Sequence, residues 1–199
     1  MAHDPRYELP TYTPPARLLH WTVALLIAVQ FPLGFYMVYR GNEMPGVDEK
    51  GAPVTGVWDE VTGFLYNSHK LLGVTILLIV LLRLGYRLMH GAPRPDPTLN
   101  RAMLGSSHLV HWSLYALLIV VPILGYVASS YGRYLDVFGI PFPTVTEKNE
   151  DMSKEVFGWH EAGAMLVLAL VVIHIAAAIY HRFVRRDRVV ERMLPKRIV

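Results

Sequence analysis

The sequence predicts an all-α integral membrane protein, a single four-helix bundle occupying residues 1–199. Two observations lead there. Of its residues 53% are hydrophobic and only 18% charged, where a soluble domain carries about 25% charged residues. Four segments also supply the roughly 20 apolar residues needed to cross a hydrocarbon core. What remains is too short for a soluble domain, and no repeat or low-complexity run interrupts the pattern.

The elements follow in order. Residues 1–17 form a polar, proline-rich tail without the charge, short apolar run and cleavage site of a signal peptide, so the chain is expected to be mature protein. The first span covers residues 18–39 and the second 68–89. A proline-rich link, residues 90–105, leads to the third span at 106–130, and the fourth covers 157–183. Pro32 and Pro122 fall inside the first and third spans, where neighbouring helices must cover the freed carbonyls. Residues 184–199 form a basic tail. The segments at 40–67 and 131–156 are longer, rich in Gly and Pro, and share one side.

Lysine and arginine decide the orientation. Twelve lie in the two tails, the basic run being counted from Arg182, and in the 90–105 link with Arg87, against six on the side of the long loops, which also carries eleven acidic residues. Both termini are therefore expected in the cytoplasm, with the long loops outward. On that reading Arg182, Arg185 and Arg186 are topology signals and lipid contacts. The chain has no cysteine, which excludes disulfides, thiolate-held iron–sulfur clusters and thioether-attached haem.

Of the nine histidines, His3 lies in the first tail, and the others sit near span ends: His20, His69, His90, His108, His111, His160, His174 and His181. Any one of them could be an interfacial anchor, since Trp21, Trp112 and Trp159 each neighbour a histidine. The spacing of His160 and His174 argues for more. Fourteen residues rise about 21 Å and return within about 40° of the starting direction. The two rings thus share a helix face at two depths, and His174 lies too deep for an anchor. Neutral imidazole is a ready haem ligand, and bundles build cofactor sites from facing helices. By depth, His69 matches His160 at the outer level and His20 matches His174 at the inner level. Two haems stacked across the bilayer, each held by two histidines, would occupy all four rings. Gly73 and Gly163, one turn from ligands, offer room for a flat macrocycle or for plain helix packing.

RLLHW, SHKLLG, GSSHLVHWSLY, GRYLDVFGIPFP, WHE with a histidine fourteen residues on, and RMLPKR together resemble the prokaryotic cytochrome b561 family, over roughly residues 12–197. The resemblance implies two non-covalent b-type haems on His20, His69, His160 and His174, and exchange of electrons with quinone in a bacterial inner membrane. Some members are similar to superoxide oxidases that reduce ubiquinone, and others anchor larger dehydrogenases. The expected activity is therefore that of an oxidoreductase, with membrane lipid, quinone and an outward redox partner as contacts and no nucleic acid. The haem-bearing anchor is the alternative, and a proton-coupled transporter without haem, using histidines as a relay, is a further class.

Other polar residues divide between functional and bland readings. His108 and His111, at the inner start of the third span, are interfacial residues, alternative inner ligands, or propionate or quinone contacts. Arg83, fourteen residues after His69, shares its face at the inner level and either meets a propionate or snorkels to the headgroups. Lys70, Arg133, Lys148 and Lys154 are outward cations that could meet a propionate or an anionic substrate.

Overall fold

The computed structural model describes residues 10–48 and 50–194. His3, most of the first tail and the Lys196–Arg197 end of the basic tail lie outside the described residues.

Four long helices carry the fold: α1 (Pro14–Asn42), α2 (Glu60–His90), α3 (Arg101–Gly132) and α4 (Glu150–Ile179). Each is long and apolar enough to cross a membrane. They overrun the apolar spans because local chemistry starts them early. Pro14 and Pro15 open α1, where a missing amide N–H costs nothing. Asp59, Asn100 and Asn149 cap α2, α3 and α4 by accepting from the backbone N–H groups of Thr62, Met103 and Met152. The cap at Asn100 ends the link there, so the residues from Arg101 onward belong to α3. A π-helical turn, Tyr180–Arg185, continues α4.

Both long loops fold into antiparallel hairpins that composition did not reveal: β1 (Pro45–Val47) with β2 (Pro53–Thr55), and β3 (Asp136–Val137) with β4 (Ile140–Pro141). Phe138 and Gly139 turn the second hairpin with φ of 53° and 80°, the paired positive values of a tight hairpin turn. At Gly56, with φ of 88°, a Cβ would stand 2.4 Å from the Gly41 carbonyl oxygen, so no side chain fits.

The backbones of α1 and α2, of α2 and α3, and of α3 and α4 run close together, whereas α4 stands off from α1 and α2. Between the ends, Val23, Ile27, Ile76, Val80, Tyr115, Leu118, Val121 and Val167 form the buried core. The end bearing the hairpins is called the loop end below, and the opposite one the termini end.

At the termini end the two tails fold onto one another. Arg192, 7% exposed, donates to the carbonyls of Pro10 (2.9 Å) and Arg94 (2.6 Å) and lies over the Tyr12 ring. Arg17 and Trp21 of α1 donate to the carbonyls of Leu194 and Met193. Arg182 pairs with Glu191, and Arg185 with Asp187 and the Thr98 carbonyl. Those two arginines, expected to mark topology and touch lipid, make internal contacts as well. Burial would raise the Asp187 pKa, but hydrogen bonds from His181 and Arg185 hold it below the usual carboxylate range.

Candidate functional site

The structure brings the four depth-matched histidines together in two pairs. At the loop end, His69 of α2 faces His160 of α4 with ring centres 6.1 Å apart and planes at 76°. At the termini end, His20 of α1 faces His174 of α4, also at 6.1 Å, with planes at 78°. Both pairs bridge helices whose backbones stay apart, so the rings meet across the cleft that α4 leaves beside α1 and α2.

This spacing suits one metal between two imidazoles. Metal–nitrogen bonds of about 2 Å, with about 1.1 Å from each nitrogen to its ring centre, place two trans ring centres about 6 Å apart. The donor set points the same way. Among the described residues no group of three or more His, Cys, Asp and Glu is placed to hold a metal ion. Two imidazoles are what a macrocycle-bound iron still needs, because the ring supplies its other ligands.

The rings differ in how they are held. His160 Nδ1 lies 2.8 Å from the Val121 carbonyl. That oxygen can only accept, so Nδ1 carries the proton and Nε2 is left for a metal. The approach is close because α3 offers Gly125, where a Cβ would come within 3.0 Å of the ring. His69 packs likewise against Gly34 of α1, at 3.3 Å from a Cβ built there. Nδ1 of His69 and Nδ1 of His20 are buried without a hydrogen-bond partner.

At the termini end His111 stands 5.3 Å from His174, centre to centre, and contacts Ser107 Oγ at 3.3 Å. His108, one turn earlier, is exposed. The two histidines that looked alike in sequence are thus separated: only His111 joins the termini-end group. Arg83 lies 5.2 Å over the Tyr115 ring and lines a cavity of about 20 Å³, room for about one water, with Arg87, Tyr12, Tyr86 and Met193. Among the described residues it has no carboxylate partner. Lys70 donates to the carbonyls of Tyr134 and Asp136, fastening the 133–141 loop to α2.

Sequence reasoning missed Gly34, Gly125 and Gln30. The glycines carried a signal, since PLGF at 32–35 and PILGY at 122–126 each place a glycine just after an in-span proline. Gly163 instead faces Val121 Cγ2 and serves α3–α4 packing, and a Cβ on Gly73 would meet Gln30 Nε2 at an ordinary 3.7 Å.

A family profile described as prokaryotic cytochrome b561 matches residues 11–196. The chain is 29% identical to the probable superoxide oxidase CybB of Yersinia pestis, over 90% of this chain and 93% of that one. It is 23% identical to cytochrome b561 homolog 1 of Escherichia coli K12, over 90% and 94%. To cytochrome b562 of Cereibacter sphaeroides it is 25% identical, over 94% and 98%.

Proposed function

The chain belongs to the prokaryotic cytochrome b561 family, and from that premise we propose that its two histidine pairs hold two b-type haems. It is a bacterial membrane protein of haem-based electron transfer. The finer reading is that it passes electrons between a donor at the loop end and ubiquinone in the bilayer, with both termini cytoplasmic. The observation that carries it is the pair of 6.1 Å histidine crossings at two depths.

Bound haem supplies reversible one-electron chemistry. The chain supplies binding and orientation: His69 and His160 at the loop end, His20 and His174 at the termini end. Val121 fixes the His160 tautomer. The apolar core around Ile27, Ile76, Val80 and Val167 excludes water between the levels. Arg83, which has no carboxylate partner among the described residues near the His20–His174 level, is the residue to receive a propionate there, since a cation at that depth requires a counter-charge or water. His111 is the nearest candidate for a second contact at the same level, whether to propionate or to quinone.

The test is a pyridine haemochrome assay, expected to give two haems per chain. His174→Ala should lose the termini-end haem and retain the other, and His69→Ala the reverse. One haem in the native protein, or two in His69→Ala, overturns the reading. Superoxide is one candidate donor, supported by the likeness to a probable superoxide oxidase. A second reading, a haem-bearing anchor of a larger dehydrogenase, is favoured by the acidic, hairpin-built loop end as a docking face.

A further inference from the structure

The loop-end histidines occupy matching settings, and the match breaks at one residue. His160 of α4 lies against Gly125 of α3, and one turn before that glycine the Val121 carbonyl accepts from His160 Nδ1. His69 of α2 lies against Gly34 of α1, and one turn before that glycine stands Gln30. Here Nδ1 of His69 is buried without a partner. Gln30 reaches the same residue, its Nε2 donating to the His69 backbone carbonyl at 3.1 Å, while its Oε1 is also buried without a partner. A donor lacking an acceptor and an acceptor lacking a donor thus meet on one pair of helices.

We propose that Gln30 is the positioning residue of the loop-end haem: its side-chain oxygen accepts the Nδ1 proton of His69, as the Val121 carbonyl does for His160. To accept from the ring, Gln30 turns about its terminal torsion, which is broad, and gives up its 3.1 Å bond to the His69 carbonyl. The bond to the ring serves two ends. It fixes the tautomer that presents His69 Nε2 to iron, and by drawing on the Nδ1 proton it makes the imidazole a stronger donor, which favours ferric over ferrous iron. A polar residue within a span is expensive, and this use accounts for Gln30 in an otherwise apolar stretch of α1. The inference rests on the proposal that His69 and His160 hold a haem.

The experiment is a potentiometric titration of the purified di-haem protein, with electron paramagnetic resonance of the ferric form and the rate of haem loss to apomyoglobin. The two potentials are first assigned with His69→Ala and His174→Ala. Gln30→Met keeps the side chain's length and removes its acceptor. It should raise only the loop-end potential, by about 59 mV for each tenfold loss of ferric preference. It should also shift that haem's low-spin signal and speed its loss about 10- to 100-fold. Gln30→Glu, which retains an acceptor, should restore slow loss. If His69→Ala removes the loop-end haem but Gln30→Met leaves its potential, signal and loss rate unchanged, the role of Gln30 is refuted and the haem assignment survives. If His69→Ala retains that haem, the assignment itself fails.

Discussion

Of the two glycines that face the loop-end histidine rings, Gly125 leaves the less room, the width of a single hydrogen atom. A methyl there would stand 3.0 Å from both Cε1 and Nδ1 of His160, against 3.3 and 3.4 Å for Gly34 and His69. Gly125→Ala should therefore push His160 off the Val121 carbonyl and weaken loop-end haem retention about 10-fold or more. Gly34→Ala should do so less, and Gly73→Ala, whose Cβ meets only Gln30 at 3.7 Å, should leave haem content unchanged. Haem-to-protein ratios after gel filtration rank the three. The histidine pairs themselves were legible in the sequence because rise and rotation per residue are properties of one helix. Gly34, Gly125 and Gln30 were not, because their roles depend on which residue a neighbouring helix presents. The same limit hid the difference between His108 and His111. Replacing both with leucine should leave two haems, while His111→Leu alone should perturb the termini-end haem spectrum and His108→Leu should not. Loss of a haem in His111→Leu would make it a ligand in place of His20.

Among the elements, the helices were readable and the hairpins were not. An apolar run of twenty residues has few alternatives in a membrane protein, whereas β3 and β4 are two residues each and their turn uses Phe138 and Gly139 rather than a strong turn pair. What holds the first hairpin is a cap. Asp59 accepts from the Thr62 N–H and from Arg40 Nη2 at 2.7 Å, and Arg40 Nε donates to Thr62 Oγ1. The Thr62 bond first, and Arg40 second, hold the Asp59 pKa below its ordinary 3.8. A depressed carboxylate stabilises above its unfolded pKa and loses that contribution as pH falls through the folded value. The 43–58 segment should thus resist protease at neutral pH and open only below pH 3.8, and Asp59→Asn should open it at neutral pH, as limited proteolysis would read. At the other end, Arg192→Ala removes two hydrogen bonds to carbonyls and the stack on Tyr12. A cost of about 1–3 kcal/mol should appear as a lower melting temperature, with haem content retained at 25 °C.

For the whole molecule, the question is which donor its loop end admits. Six cations against eleven acids make an average field that repels superoxide, yet association follows the local potential. The structure narrows which cations can act. Arg40 is paired with Asp59 and Lys148 with Glu150. Lys70, beside His69, is tied to the carbonyls of Tyr134 and Asp136, so its charge stays next to the loop that Arg133 begins. Arg133 is exposed and without an ion pair among the described residues. Lys70 adjoins His69 in the chain, and Arg133 directly precedes Tyr134, whose carbonyl Lys70 holds, so these two bring positive charge to the His69 side of the loop end. Exchanging Lys70 would also unfasten the loop, so Arg133→Gln is the cleaner variant. In stopped flow with ubiquinone present, superoxide should reduce the haem at a rate that falls as salt rises from 0.01 to about 0.1 M, where screening reaches about 10 Å. Arg133→Gln should be slower and less sensitive to salt. A rate that rises with salt would mean that the eleven acids govern approach. That field suits a cationic protein donor and not a small anion, and it would move the assignment to the docking reading.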